Sequence, residues 1–435
     1  MKTGRTDLAR KSVNLALMLF LVVWTMLVGF SICRLYLSGQ TPLNPATGFH
    51  SDFVRVYALG KVFNEHGGTA VYDRKIYDPA MDQVVYPVKR SRFSYVTYPP
   101  NAVLLFSFIS RIPLAAAQAL WIGVGISIFT AALLLLRRTT SFTSGLLSDL
   151  FIVVSSFGSF PFFDMCRLGQ TTPYVIAGTA LCYYFARVGR PFLAGLVTIL
   201  AALKPQYSLL WLLPLLATRN WKALGGACAI HALLIVATGL YCGWEIFPAY
   251  LKNAADSDPR NLDCLQNIMI TMGGLFTVFG NSTLSKGVGF AIFGLGSLSM
   301  YLVFRRCYSN GTSCATKSET CLALSVLSAV LTNLYSLWYD GTLVAIVTTL
   351  LVSSPLVFSK QTALRSRVVD LLLLFFPIYS WLPMIILVSF VKSPGPTLIL
   401  SVSAKCICLY LMLIAMFCLL KLLHQERSNG DGIKV

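Results

Sequence analysis

Five charged side chains stand beside or within long apolar runs: Asp52, Asp164, Arg167, Lys204 and Asp340. A charge at such a place costs several kcal/mol unless it meets a partner or a cavity, so each marks a candidate site of chemistry or binding. Asp52 opens an amphipathic stretch. It reads either as a first-turn acid complementing a helix dipole or as a general base where lipid and water meet. Arg167 and Gln170 lie in Asp164-Met165-Cys166-Arg167-Leu168-Gly169-Gln170. There Arg167 can offer a fork to phosphate oxygens, or pair with Asp164 three residues earlier. The glycine there would let backbone amides approach a ligand. Lys204 precedes Pro205, which opens the helix and aims the ammonium outward; the alternative is a snorkelling lysine. Asp340 ends Trp338-Tyr339-Asp340 just before another apolar run, as a substrate-facing acid or a helix N-cap. His50, two residues before Asp52, either tunes that carboxylate or is a loop histidine. Asp370 falls near the opposite end of its run and is set apart.

Composition explains why these charges are conspicuous. Of 435 residues, 56% are apolar and 12% are charged, about half the charged share of an ordinary soluble protein. Apolar runs of near-spanning length recur along nearly the whole chain, so the fold class is an all-α polytopic membrane protein. The formal charge of +18 belongs largely to connectors, as orientation by the positive-inside bias requires; nucleic acid is not an expected partner. Most of the 12 cysteines lie inside apolar runs without C-x-x-C spacing, so neither a zinc site nor a disulfide framework is expected. Asp256-Ser257-Asp258 has the look of a paired-acid metal motif, but it sits in a polar loop. Asn281-Ser282-Thr283 and Asn310-Gly311-Thr312 match the glycosylation acceptor pattern as readily by chance.

The elements that must position the charges follow from the runs. Lys2, Arg5, Arg10 and Lys11 precede a first span from about Asn14 to Leu37, read as a signal anchor with a cytoplasmic N-terminus. Further spans fall near 114–136, 147–165, 172–186, 191–204, 206–218, 223–243, 286–304, 320–336, 341–358, 368–391 and 396–422, about twelve in all. The pair around Lys204-Pro205 is short and reads as a broken or re-entrant unit. With both termini inside, Arg137, Arg138, Arg187, Arg190, Arg219, Lys222, Arg305 and Arg306 fall in cytoplasmic connectors. The chain then reads as one integral membrane domain, 1–435, with a long first outer loop over 38–113 and a polar cytoplasmic tail over 423–435. Within the loop, Phe53, Val56, Tyr57, Gly60 and Phe63 predict an interfacial helix over 52–64, with Ser51 as N-cap. Residues 101–110 predict a short apolar segment dipping into the outer leaflet. On this threading the five charges gather at the outer level, and Asp370 does not.

The motifs form an ordered series: Asp52-Phe53, Tyr57-Ala58-Leu59-Gly60, Val71-Tyr72-Asp73, Tyr98-Pro99-Pro100, Ala119-Leu120-Trp121, Leu168-Gly169-Gln170, Gly189 through Gly195, Ala202-Leu203-Lys204-Pro205 and Tyr339-Asp340. From about residue 14 to 345 the chain resembles glycosyltransferase family 87 of the GT-C superfamily, which includes polyprenyl-phosphomannose-dependent mannosyltransferases. The resemblance implies an integral membrane enzyme of the plasma (inner) membrane acting at its outer face. Its donor is a polyprenyl-phosphate sugar, its acceptor a lipid-linked or glycan hydroxyl, and transfer inverts the anomeric carbon. It further implies Asp52 as base and Arg167, Gln170, Lys204 and Arg34 toward the donor phosphate. Asp164, Tyr98, Tyr339, Asp340 and His50 would line the substrate cavity. A monophosphate leaving group needs no metal, so no metal or cofactor is expected. The sequence departs from the family at Leu334-Tyr335-Ser336-Leu337-Trp338, where members often carry a histidine before Tyr-Asp. A secondary transporter or lipid flippase is the rival reading, disfavoured because no matching halves are visible.

Overall fold

A computed structural model describes residues 2–44, 49–88, 98–140, 146–207, 209–255, 269–272, 282–309, 315–332, 336–352, 364–390 and 396–430. Asp256-Ser257-Asp258, Asn281, Asn310-Gly311-Thr312 and Leu334-Tyr335 lie outside these residues. The described chain is helical almost throughout. Among described residues, two-residue strands at Leu43–Asn44 and Phe49–His50 pair antiparallel, Leu43 opposite His50.

Among the described residues, six helical stretches are long and apolar enough to cross a membrane: Leu19–Leu37, Leu114–Thr139, Trp221–Cys242, Gly287–Arg306, Asp370–Ser389 and Leu398–Leu420. The chain therefore has the character of a multi-pass membrane protein. Other apolar runs are broken locally. The run 147–165 splits into Leu146–Phe157 and Phe160–Leu168. Ser159 caps the second helix by accepting from Phe162 N, and Pro161 sits in its first turn. The carbonyl of Gly158 is taken up by the indole N–H groups of both Trp24 and Trp381, and Phe160 N donates to Ser380 Oγ. Side chains from the first helix and from the turn at Ser380-Trp381 thus satisfy the backbone that the break exposes, as a break in apolar surroundings requires. At Lys204-Pro205 the expected break is present: Pro191–Leu196 runs into 3-10 turns at Val197–Ala201 and Pro205–Tyr207, and a new helix follows at Leu209–Ala217. The last helix runs from Pro396 to Gly430, so the polar segment from His424 continues a helix to Gly430.

The expected amphipathic helix spans Phe53–His66 and ends at Gly67, in positive φ. Two features differ from the expectation. Ser51 is not its cap; its hydroxyl donates to Gln118 Oε1 at 2.6 Å, and Asp52 occupies the N-cap position. The helix is also buried on two sides. Phe53, Val56 and Tyr57 join the main core, whereas Val54, Ala58, Leu59 and Val62 pack with Val71, Tyr77 and Met81 in a second one. Gly60 permits this packing: a Cβ there would sit 2.1 Å from the Phe106 carbonyl of the Pro100–Ile109 helix.

Candidate active site

The site begins where three chain segments meet at Asp52. The Phe160–Leu168 helix ends in Gly169, whose φ of 71° is left-handed and whose N–H returns to the last turn. A Cβ on Gly169 would lie 2.6 Å from the Phe53 Cβ. The glycine therefore serves close packing against Phe53, where the sequence suggested room for a ligand. This nesting brings Gln170, itself buried, to Asp52: Gln170 Nε2 donates to Asp52 Oδ2 at 2.7 Å. Trp121 Nε1 donates to the Gly169 carbonyl at 3.2 Å. Buried Gln118 ties the neighbouring segments together through Ser51, Thr41 and the Arg167 carbonyl. Asp52 makes no side-chain cap bond to its own helix, so its carboxylate is aimed away from the backbone it starts.

Two ion pairs flank this point. Arg167 Nε meets Asp164 Oδ1 at 2.5 Å, and the Trp338 indole N–H donates to the other Asp164 oxygen. Asp164 is fully buried, whereas the Arg167 side chain is 28% exposed. The i, i+3 pairing weighed from the sequence is thus real, and burial makes it far more than a surface pair. Lys204 Nζ meets Asp340 Oδ1 at 2.5 Å and Thr172 Oγ1 at 3.0 Å, and Thr172 also donates to Asp340. Lys204 lies 4.8 Å from the centroid of the Tyr339 ring. It is buried and paired, not snorkelling. Asp340 is not the N-cap, which is Leu337; three residues on, its Oδ2 accepts from Leu337 N at 3.2 Å and closes the start of the turn Trp338–Leu343, while Oδ1 holds the lysine. Removing one partner of such a buried pair typically costs about 3–5 kcal/mol, since it strands the other charge.

Tyr98, Tyr339 and Arg55 link the two halves. Arg55, one turn after Asp52, has its Nε 3.9 Å from Asp52 Oδ1, and lies within electrostatic reach of Tyr77, Tyr98 and Tyr339. Burial is the largest single influence and disfavours its charge, but the Asp52 carboxylate together with Tyr77, Tyr98 and Tyr339 outweighs it and holds its pKa above the ordinary value. Tyr98 feels both Asp52 and Asp340; burial first, then those carboxylates, push its phenol up, so it stays neutral at physiological pH. Asp52, Asp164, Arg167, Gln170, Lys204, Asp340, Tyr98 and Tyr339 are therefore brought into one connected neighbourhood. Arg34 is not: it is exposed in the last turn of the first helix, and no described contact ties it to the group. His50 pairs with Leu43 through its backbone, and its side chain lies outside those described. Sequence reasoning missed Arg55, Thr172, Trp338 and Tyr207, whose ring centroid lies 6.0 Å from Lys204 Nζ. Of these Arg55 carried a charge-spacing signal, i, i+3 from Asp52; Thr172, Trp338 and Tyr207 each stand within three residues of a predicted site residue but are uncharged, so the cost of burying charge did not mark them. Among the described residues, no three His, Cys, Asp or Glu side chains gather as a metal-binding group.

Beside the polar cluster runs an apolar groove of about 410 Å³, lined by Leu104, Leu105, Phe108, Trp121, Leu200 and Leu203 among others. It reaches Leu203, next to Lys204, and Trp121, which packs on Phe53 beside Asp52. In comparisons with known proteins, the model of glycosyltransferase family 87 matches residues 96–332. That match takes in Tyr98, Asp164, Arg167, Gln170 and Lys204 and leaves Asp52, Tyr339 and Asp340 outside it. No curated protein matches the chain.

Proposed function

The chain belongs to glycosyltransferase family 87, hence is a membrane glycosyltransferase, and from that premise we propose that it takes its sugar from a polyprenyl-phosphate donor. The acceptor is a lipid-linked or glycan hydroxyl, and Asp52 is the general base. The observation that carries this reading is the Asp52 carboxylate itself. It is only 25% exposed, unused as a helix cap, and steadied on one oxygen by Gln170. The other oxygen accepts no hydrogen bond among the described residues and is available to a hydroxyl proton.

In the proposed reaction the acceptor oxygen attacks C1 of the sugar on the face opposite the phosphate. Its proton passes to Asp52, and the C1–O bond breaks with its electron pair staying on the phosphate. A single displacement of this kind inverts C1. Its transition state has oxocarbenium character, as in glycoside cleavage, and the leaving phosphate gains charge that nearby cations stabilise. Arg167, partly exposed but tied to buried Asp164, contributes its field to that phosphate. Lys204, sealed by Asp340 and Thr172, contributes its field and sets the position of Tyr339. Gln170 is spent on Asp52. Arg34 would act only if the lipid phosphate entered past the end of the first helix. The apolar groove beside Lys204 supports a prenyl donor, because its lining is almost wholly aliphatic and aromatic. The site is proposed to face the outer side, with both termini cytoplasmic.

Asp52→Asn tests the base. Transfer is expected to fall by about 10²–10⁴-fold, the range for a positioned base, with expression and melting temperature retained. Turnover near the wild-type rate in that variant would remove Asp52 from the mechanism.

A further inference from the structure

Charge bookkeeping around the site leaves one cation unspent. Asp164 is matched by Arg167 and Asp340 by Lys204, each at 2.5 Å. Asp52 and Arg55 form only a loose third pair: 3.9 Å separates Oδ1 from Nε, and no hydrogen bond joins them. Arg55 Nε is buried, and it is the one cationic nitrogen among the described residues that is buried without a hydrogen-bond partner. A second buried orphan, Thr171 Oγ1, lies on the loop between Gln170, which holds Asp52, and Thr172, which holds Lys204. Buried donors without acceptors are rare in native structures and call for an explanation, of which a missing ligand is the direct one.

We propose that Arg55 is the guanidinium that receives the donor's phosphate, and that it exchanges its counter-ion during the reaction, from Asp52 to the leaving phosphate. The assignment rests on the polyprenyl-phosphate reading above. Before transfer, Asp52 is anionic, the donor phosphodiester carries one negative charge, and Arg55 is shared loosely between them. The acceptor oxygen then bonds to C1, the acceptor proton moves to Asp52 Oδ1, and the C1–O electron pair remains on the phosphate. Asp52 is now neutral and the phosphate a dianion. The charge that Asp52 gives up is the charge the phosphate acquires, and Arg55 stands where it can follow it. A guanidinium suits this better than an ammonium, since its fork matches two phosphate oxygens at once.

The probe is farnesyl phosphate, with farnesol as the uncharged control, bound to detergent-solubilised full-length protein. Wild type is expected to bind the phosphate about tenfold or more tighter than farnesol. Arg55→Met and Arg55→Gln should lose most of that difference without changing farnesol binding, and Arg55→Lys should fall between. Asp52→Asn, by releasing Arg55 from its competing carboxylate, should tighten farnesyl phosphate about fivefold, and the gain should vanish in Asp52→Asn/Arg55→Met. An Arg55→Met protein that binds farnesyl phosphate as wild type does overturns the assignment. So does a gain from Asp52→Asn that survives loss of Arg55. Should Arg55→Met fail to fold, the Asp52→Asn arm decides, and absence of tightening there overturns it. Wild type that does not distinguish farnesyl phosphate from farnesol overturns the lipid-phosphate donor itself, and this assignment falls with it.

Discussion

At Lys204 and Asp340 the buried pair serves two ends at once. The lysine lies against the Tyr339 ring, and the carboxylate closes the start of the turn that carries Tyr339, so the pair sets that side of the site. Lys204→Met leaves Asp340 buried without its counter-charge and is expected to destabilise the protein by about 3–5 kcal/mol. Adding Asp340→Asn removes the stranded charge while keeping an oxygen for the Leu337 N–H, and should restore most of the loss. Thermal unfolding in detergent measures both. A double variant no more stable than the single one would mean that the lysine stabilises by packing instead. Arg167 and Asp164 repeat the arrangement, with Trp338 as the third member. Thus Trp338 bonds one pair while the adjacent Tyr339 covers the other, which explains how residues from distant parts of the chain share one polar centre.

At the scale of elements, the decisive features are breaks, not helices. The Phe160–Leu168 helix is short because Ser159-Phe160-Pro161 starts it and Gly169 stops it. The stop places Gln170 against Asp52. Gly169→Ala meets two penalties: a left-handed φ, costing about 1–2 kcal/mol for a residue with a Cβ, and overlap with Phe53 at 2.6 Å. The expected result is a lower melting temperature together with loss of transfer, as Gln170 is displaced. Combined with Phe53→Ala the two changes should be less than additive, because the smaller side chain relieves the overlap. Strict additivity in unfolding measurements would show that the two positions are not in contact. The break at Lys204-Pro205 has the same logic. It turns a lysine that would otherwise sit on a continuous helix inward to Thr172 and Asp340.

Across the whole molecule, long apolar helices supply the membrane body, and short broken ones build the polar centre and the groove beside it. The groove gives a prediction at this scale. Leu105→Trp narrows it without touching the charged cluster, so it should raise the KM for a long-chain polyprenyl donor by about tenfold. A donor of farnesyl length should be affected less than twofold, and kcat should change little. Equal effects on both donors would place the prenyl chain elsewhere.

Much of this was readable from residues alone. The apolar excess, the charges left among it and the order of the short motifs identified a membrane glycosyltransferase of family 87. They also singled out Asp52, Asp164, Arg167, Lys204 and Asp340, because burying charge in an apolar chain is too costly to be incidental. Breaks within the apolar runs, by contrast, were not all legible. Hydropathy registers apolar content, and a run interrupted at Gly158-Ser159 reads the same as a continuous one when distant tryptophans satisfy the break. Pairing lay beyond the linear text as well. Asp52 with Gln170, Lys204 with Asp340 and Asp164 with Trp338 are separated by more than a hundred residues each. Which carboxylate neutralises which cation is decided by distance in space, and only the folded chain shows Arg55 left over.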